Sequence, residues 1–89
     1  MKEPIIVLAS ARHKQAANYY IIKMYHAINY LDKRIEEQAI HGQYKYTLDC
    51  LEFMSRFNLS LETLTNIYNR FLEAGYDIED DCTFWIVKW

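Results

Sequence analysis

The chain has 89 residues, of which 52% are hydrophobic and 16% are aromatic. A composition this apolar excludes an intrinsically disordered chain, and this length accommodates one domain, which we assign to residues 1–89. The net charge of −2, with no stripe of basic residues, argues against non-specific nucleic-acid binding, for which clustered Lys and Arg must displace counterions from phosphates.

The charge is unevenly distributed along the chain. Residues 1–47 carry seven Lys or Arg and four Asp or Glu, a net +3, whereas residues 48–89 carry three and eight, a net −5. The two halves can neutralise each other within one protomer, or they can complement each other between protomers.

The sequence predicts a soluble protein located in the cytoplasm. The apolar stretch Ile5–Ala9 behind Pro4 is too short for a signal peptide, and no apolar run approaches the length of a membrane span. Without a secretory segment, Cys50 and Cys82 are expected to be reduced thiols, and a disulfide between them is the alternative.

The first predicted element is one long helix. From Ser10 to His41 there is no Gly or Pro, apolar residues recur with helical spacing, and Gly42 supplies the stop; a start as early as Pro4 is also compatible with the pattern. At about 100° per residue, one face collects the residues that we expect to form the core. These are Ile21, Met24, Tyr25, Ile28, Leu31, Ile35 and Ala39.

A second apolar stripe lies on roughly the opposite face of this helix, where charged side chains would be ordinary. Aromatic residues and Arg dominate protein interfaces because they bury a large area and carry a polar tip. We therefore predict a site that binds a partner or ligand. Its residues are Arg12, Tyr19, Ile22, Lys23, His26, Tyr30 and Arg34. The alternative is that the tyrosines pack inside the fold, against residues 50–58 or the N-terminal segment.

After Gly42, the alternation of side chains over Gln43–Asp49 predicts a strand, with Tyr44, Tyr46 and Leu48 on one face. The next segment, Cys50–Asn58, suits either a short helix or an irregular connection. The interpretation of this segment stays open.

The last third predicts a helix followed by a β-hairpin. Ser60 is the expected N-cap of a helix that reaches about Ala74 and ends at Gly75. Tyr76–Glu79 and Thr83–Trp89 are the predicted strands of the hairpin. The fold class is therefore α+β, with a long N-terminal helix, a second shorter helix and a small three-stranded antiparallel sheet. Because both faces of the last strand are apolar, we expect it to be covered on both sides or to contact a partner.

No pattern in the sequence predicts catalysis, a metal site or a cofactor. The histidines lie 13 and 15 residues apart, which is not metal-ligand spacing, and the two glycines look like helix stops rather than a phosphate-binding loop. A Cys50 thiolate paired with His41 is a candidate nucleophile if the chain between them folds back, but nothing marks an oxyanion hole or an orienting third group. We predict a protein that is not an enzyme.

The chain resembles a diffuse group of small proteins encoded by tailed bacteriophages. The resemblance covers about residues 28 to 89, and it rests on the run Ile35-x-x-x-Ala39-x-x-Gly42-x-Tyr44-x-Tyr46, then Leu61-x-x-Leu64-x-x-Ile67, Leu72-x-x-Gly75-Tyr76-x-Ile78 and Ile86-x-x-Trp89. It implies an early or accessory phage protein that acts by binding in the host cytoplasm, and it carries over no catalytic residues.

Three functional hypotheses follow. The first is an inhibitor that occludes a surface of a host enzyme or of a bacterial defence protein. The second is a homo-oligomeric sponge that sequesters a nucleotide-like defence signal between protomers, with tyrosine and histidine rings stacking on a base and basic residues holding phosphate. The third is a structural or assembly role, in which the long helix is the oligomerisation element.

Overall fold

A computed structural model of the protein describes residues 6–81 and 83–89. It confirms the predicted α+β fold, and it assigns the ambiguous segment after the first strand to a helix. The elements in chain order are α1 (Ala9–Ala39), β1 (Lys45–Asp49), α2 (Cys50–Phe57), α3 (Leu61–Glu73), β2 (Asp77–Asp80) and β3 (Phe84–Lys88). The first helix begins at Ala9, after an extended Leu8. Pro4, the earlier start compatible with the sequence pattern, and Cys82, with its pairing, lie outside the described residues.

The three strands form an antiparallel sheet in the order β1-β3-β2, with the C-terminal strand in the centre. Leu48 of β1 faces Trp85, and Tyr46 and Ile78 face Val87 from either side, so these residues share the face on which the helices pack. The opposite face is open in the described chain. There Phe84 remains 40% exposed, so β3 is covered on one side only.

All three helices end in the same way, with a left-handed residue that stops the helix. Gly42 (φ 78°), Asn58 (φ 50°) and Gly75 (φ 97°) occupy these positions. In each case the next residue donates its backbone N–H to a carbonyl five positions earlier, over 2.8 to 3.1 Å. This arrangement is typical of the Schellman motif. Glycine and asparagine are common at its left-handed position because they tolerate positive φ. The two predicted glycine stops are confirmed.

Side-chain caps fix where the two short helices begin. The Ser60 hydroxyl accepts from the backbone N–H of Thr63 over 3.1 Å, as the sequence predicted. The Asp49 carboxylate accepts from Leu51 and Glu52 over 3.1 and 3.2 Å, so the last residue of β1 is also the N-cap of α2. At the hairpin turn, Asp81 accepts from Thr83 and Phe84, and these bonds lower the pKa of its carboxyl.

The core lies between the sheet and the three helices. Its fully buried large side chains are Leu31, Leu48, Phe53, Ile67 and Val87. Trp85 is 2% exposed and meets Tyr68 of α3 edge to face, with ring centroids 5.4 Å apart. Trp89 packs beside Tyr76 and donates its backbone N–H to Tyr44, which draws the C-terminal residue into the fold.

The core face of α1 differs from the predicted one. The buried residues are Ala27, Leu31 and Ile35, whereas Ile21 and Tyr25 are 44% and 48% exposed, and Ala39 is exposed. The observed face is rotated by about 60° from the predicted face. The physical reason is that the small body reaches only the second half of the helix, where an alanine allows the closest approach.

The first half of α1 projects beyond the body of the protein. The helix has 31 residues, or about 46 Å, and the molecule measures 67 × 26 × 23 Å. Every residue from 6 to 22 is exposed. Tyr19, Tyr20, Ile21 and Ile22 are 59%, 61%, 44% and 55% exposed here, and at about 100° per residue they point to different sides of the helix.

Candidate functional site

A groove of about 650 Å³ runs between the middle of α1 and the end of α2. Four predicted site residues lie within about 60° of arc on α1 and form one wall of it. They are Tyr19, Lys23, His26 and Tyr30. Asn29 and Lys33 extend this wall, and Arg56, Phe57 and Asn58 form the other.

A cluster of three aromatic rings lies beside the groove, and two of them, Tyr30 and Phe57, line it. Tyr30 stacks on Phe53 with ring centroids 6.1 Å apart and meets Phe57 edge to face at 5.4 Å. Phe53 and Phe57 contact each other at 5.5 Å, so the three rings form one unit that joins α1 to α2. For Tyr30 the structure therefore supports the alternative that this tyrosine packs against residues 50–58, because α2 covers one side of its ring.

Two guanidinium groups stack on the same tyrosine. The Cζ atoms of Arg34 and Arg56 lie 5.1 Å and 4.8 Å from the centroid of the Tyr30 ring. Arg34 pairs with Glu37 at 3.2 Å, and Arg56 pairs with Glu52 at 2.6 Å, which fixes both groups. Hydrogen bonding to Tyr30 raises the pKa of Arg34, and hydrogen bonding to Glu52 raises the pKa of Arg56, so both remain charged at any physiological pH.

Among the described residues, those that line the groove include three cations, of which Arg56 is paired with Glu52, and no carboxylate. The ammonium of Lys23 lies 5.1 Å from the centroid of the Tyr19 ring, and Lys33 and Arg56 complete the set. A cation over the face of an aromatic ring is stabilised by the ring quadrupole. The groove therefore offers flat apolar surfaces and positive charge together, which suits an anionic partner.

The remaining predicted site residues lie away from this groove. Ile22 is 55% exposed and is not among the residues that line the groove, and Arg12, on the projecting half, donates a hydrogen bond to Gln15 over 2.8 Å. Arg34 lies at the edge, where it contacts the groove only through Tyr30. The structure thus brings together four of the seven predicted residues.

Sequence reasoning missed Arg56 and Phe57 as site residues. The sequence of residues 50–58 did not show whether this segment forms a helix. In the structure it forms the eight-residue helix α2, which places Arg56 and Phe57 beside Tyr30. The available signal was the Asp49 cap followed by Glu52 and Arg56 at i,i+4, a spacing that supports a helix.

Cys50 is buried in the core and is not suited to nucleophilic catalysis. Burial, with smaller contributions from the carboxylates of Asp80 and Asp49, raises the pKa of its thiol to about 11. The thiol is therefore protonated at neutral pH, whereas the thiolate is the reactive form. His41, its suggested partner, is exposed at the end of α1.

Comparison of this chain with known protein families, with curated proteins and with solved structures finds no match. Across residues 6–81 and 83–89, no helix has both the length and the apolar character required to span a membrane. Within the same residues, no group of three or more His, Cys, Asp and Glu side chains is arranged to hold a metal ion.

Proposed function

We propose that this is a non-enzymatic binding protein whose groove docks on an acidic surface of a partner protein. The observation that carries the proposal is that Tyr19, Lys23, His26 and Tyr30 meet Arg56 and Phe57 in one groove without a carboxylate in its lining. In line with the phage resemblance, the proposed partner is a host enzyme or a bacterial defence protein, which the bound chain inhibits by occlusion in the host cytoplasm.

The composition of the groove supports a protein partner. Tyrosine and arginine are enriched at the energetic centres of interfaces, where they fill pockets and exclude water. The Tyr30 cluster is held by α2 and by two guanidinium groups, so little side-chain entropy remains to be lost on binding. Complementary charge would speed the encounter with an acidic surface and select against basic ones.

The shape of the groove favours a protein over a small nucleotide-like ligand. Small-molecule sites bury most of the ligand surface inside a cleft, whereas Tyr19 is 59% exposed and His26 also lies open to solvent. Stacked rings beside cations do fit a base and a phosphate, which keeps the sponge as the second candidate. Thermal shift against cyclic and linear nucleotides separates the two candidates.

Affinity capture from a bacterial lysate tests the proposal. The wild-type chain is expected to retain a specific acidic protein, and the variant Tyr19→Ala/Lys33→Glu is expected to lose it. The matched control is Tyr44→Ala/Lys45→Glu, which makes the same two changes on exposed side chains outside the groove. Circular dichroism verifies that both variants are folded.

The proposal fails if both double variants retain the same protein equally, or if the control loses it and the groove variant does not. Stabilisation by a nucleotide, abolished by the groove substitutions, would favour the sponge instead. Retention of nucleic acid in place of protein would also overturn it.

A further inference from the structure

A further exposed stripe runs along α1, apart from the groove. Its centre lies about 120° around the helix axis from the groove wall formed by Tyr19, Lys23, His26 and Tyr30. At about 100° per residue its members fall within about 100° of arc, and each of them is exposed. They are Lys14, Ile21, Ile22, Tyr25, Asp32 and Glu36, and we call them the second face of α1.

The second face is ordered by charge along the helix. Lys14 lies at its N-terminal end, Ile21, Ile22 and Tyr25 form an apolar centre, and Asp32 and Glu36 lie at the other end. Residues 6–31 contain Arg12, Lys14 and Lys23 but no carboxylate. The projecting half of α1 is therefore positively charged as a whole.

From this order we infer that a second copy of this chain covers the second face, with the two α1 helices antiparallel. In an antiparallel pair with its two-fold axis near residue 23, position 14 of one copy lies opposite position 32 of the other, and position 21 lies opposite position 25. Lys14 then meets Asp32 twice, and Ile21 packs against Tyr25 twice. A parallel pair would instead place like charges side by side.

The exposure of the apolar centre of the second face is consistent with contact to a second copy of the chain. Ile21, Ile22 and Tyr25 are 44%, 55% and 48% exposed. Arg70 of α3 stacks on Tyr25, with its Cζ 5.7 Å from the ring centroid, and holds the ring at the margin of the face. In the antiparallel arrangement, the projecting half of each α1 lies along the body of the other copy, which adds contact area. We expect a weak dimer, with a dissociation constant on the order of 1 to 100 µM.

In the dimer the aromatic and basic wall of the groove stays accessible, because Tyr19, Lys23, His26 and Tyr30 are centred about 120° from the second face. Each dimer would therefore present two grooves to a partner. The inference does not depend on what the groove binds, and the two are tested by different variants.

Analytical ultracentrifugation between about 1 and 200 µM tests the dimer. The mass is expected to rise with concentration from 10.7 kDa towards twice that value. Lys14→Glu and Asp32→Lys should each weaken the dimer by about tenfold, because each change creates two like-charge contacts in the two-fold pair. The double variant Lys14→Glu/Asp32→Lys should return to within about threefold of the wild type, because it restores both pairs in reverse.

Lys45→Glu is the control for the change in net charge and should leave the dissociation constant unaltered. A mass of 10.7 kDa at every concentration would overturn the inference, as would a dimer that the single charge reversals do not weaken or that the double variant does not restore. The groove variant Tyr19→Ala/Lys33→Glu should still form the dimer, so loss of partner capture and loss of self-association are distinguishable.

Discussion

Replacing Phe53 with alanine is expected to lower the free energy of unfolding by about 3 to 5 kcal/mol, the range for removing a buried aromatic ring. Phe53 is fully buried and touches both Tyr30 and Phe57. Its loss leaves a cavity at the junction of α1 and α2, where few other large side chains can fill the space. Urea denaturation followed by circular dichroism measures this change in free energy, and thermal unfolding should show a drop in Tm of about 15 °C or more.

The matched control is Leu51→Ala, on the same helix and 68% exposed. It removes a large apolar side chain without opening a cavity, so its effect should stay below about 0.5 kcal/mol. A Phe53→Ala variant as stable as the Leu51→Ala variant would mean that α2 does not anchor α1 in the way described.

The affinity of the captured partner is expected to fall about 100-fold in the variant Tyr19→Ala/Lys33→Glu. Loss of an aromatic anchor and reversal of a neighbouring charge together correspond to roughly 3 kcal/mol of binding free energy. Most of the loss should appear as faster dissociation for Tyr19→Ala, and as slower, less salt-sensitive association for Lys33→Glu. Surface plasmon resonance at two salt concentrations resolves both rate constants.

The control Tyr44→Ala/Lys45→Glu should bind within about twofold of the wild type, since neither residue lines the groove. Affinity that is independent of salt and unchanged by Lys33→Glu would contradict an acidic partner surface. In that case the aromatic cluster alone would remain as the binding element.

Much of the fold could be predicted because its signals are local. The helix stops at Gly42 and Gly75 and the Ser60 cap each depend on one residue in a defined backbone conformation. The alternation of β3 likewise predicts that Trp85 and Val87 share a face, and the structure shows that this face is the buried one. Such features depend little on the rest of the chain.

The orientation of α1 could not be predicted, because it depends on tertiary contacts. Periodicity gave equal weight to all apolar positions of the helix, although only its second half has something to pack against. The small Ala27 is buried and the larger Tyr25 is 48% exposed, so the side of α1 that packs is not the side with the largest apolar residues.

The candidate site was found only in part for the same reason. The wall on α1 follows from helical spacing, whereas the other wall comes from α2, some thirty residues away along the chain. In the structure Tyr30 contacts both Phe53 and Phe57 and lies at the centre of an aromatic cluster, an arrangement that helical spacing within α1 does not reveal. Residues that meet only through the fold leave no spacing pattern in the sequence.

Site-specific photo-crosslinking tests the central claim most directly, because it reports where the partner touches the chain. A photoreactive amino acid at position 33, in the groove, is compared with the same group at position 44, exposed but outside it. The account predicts a crosslink to the captured partner from position 33 and none from position 44. Crosslinking from position 44 alone would contradict it.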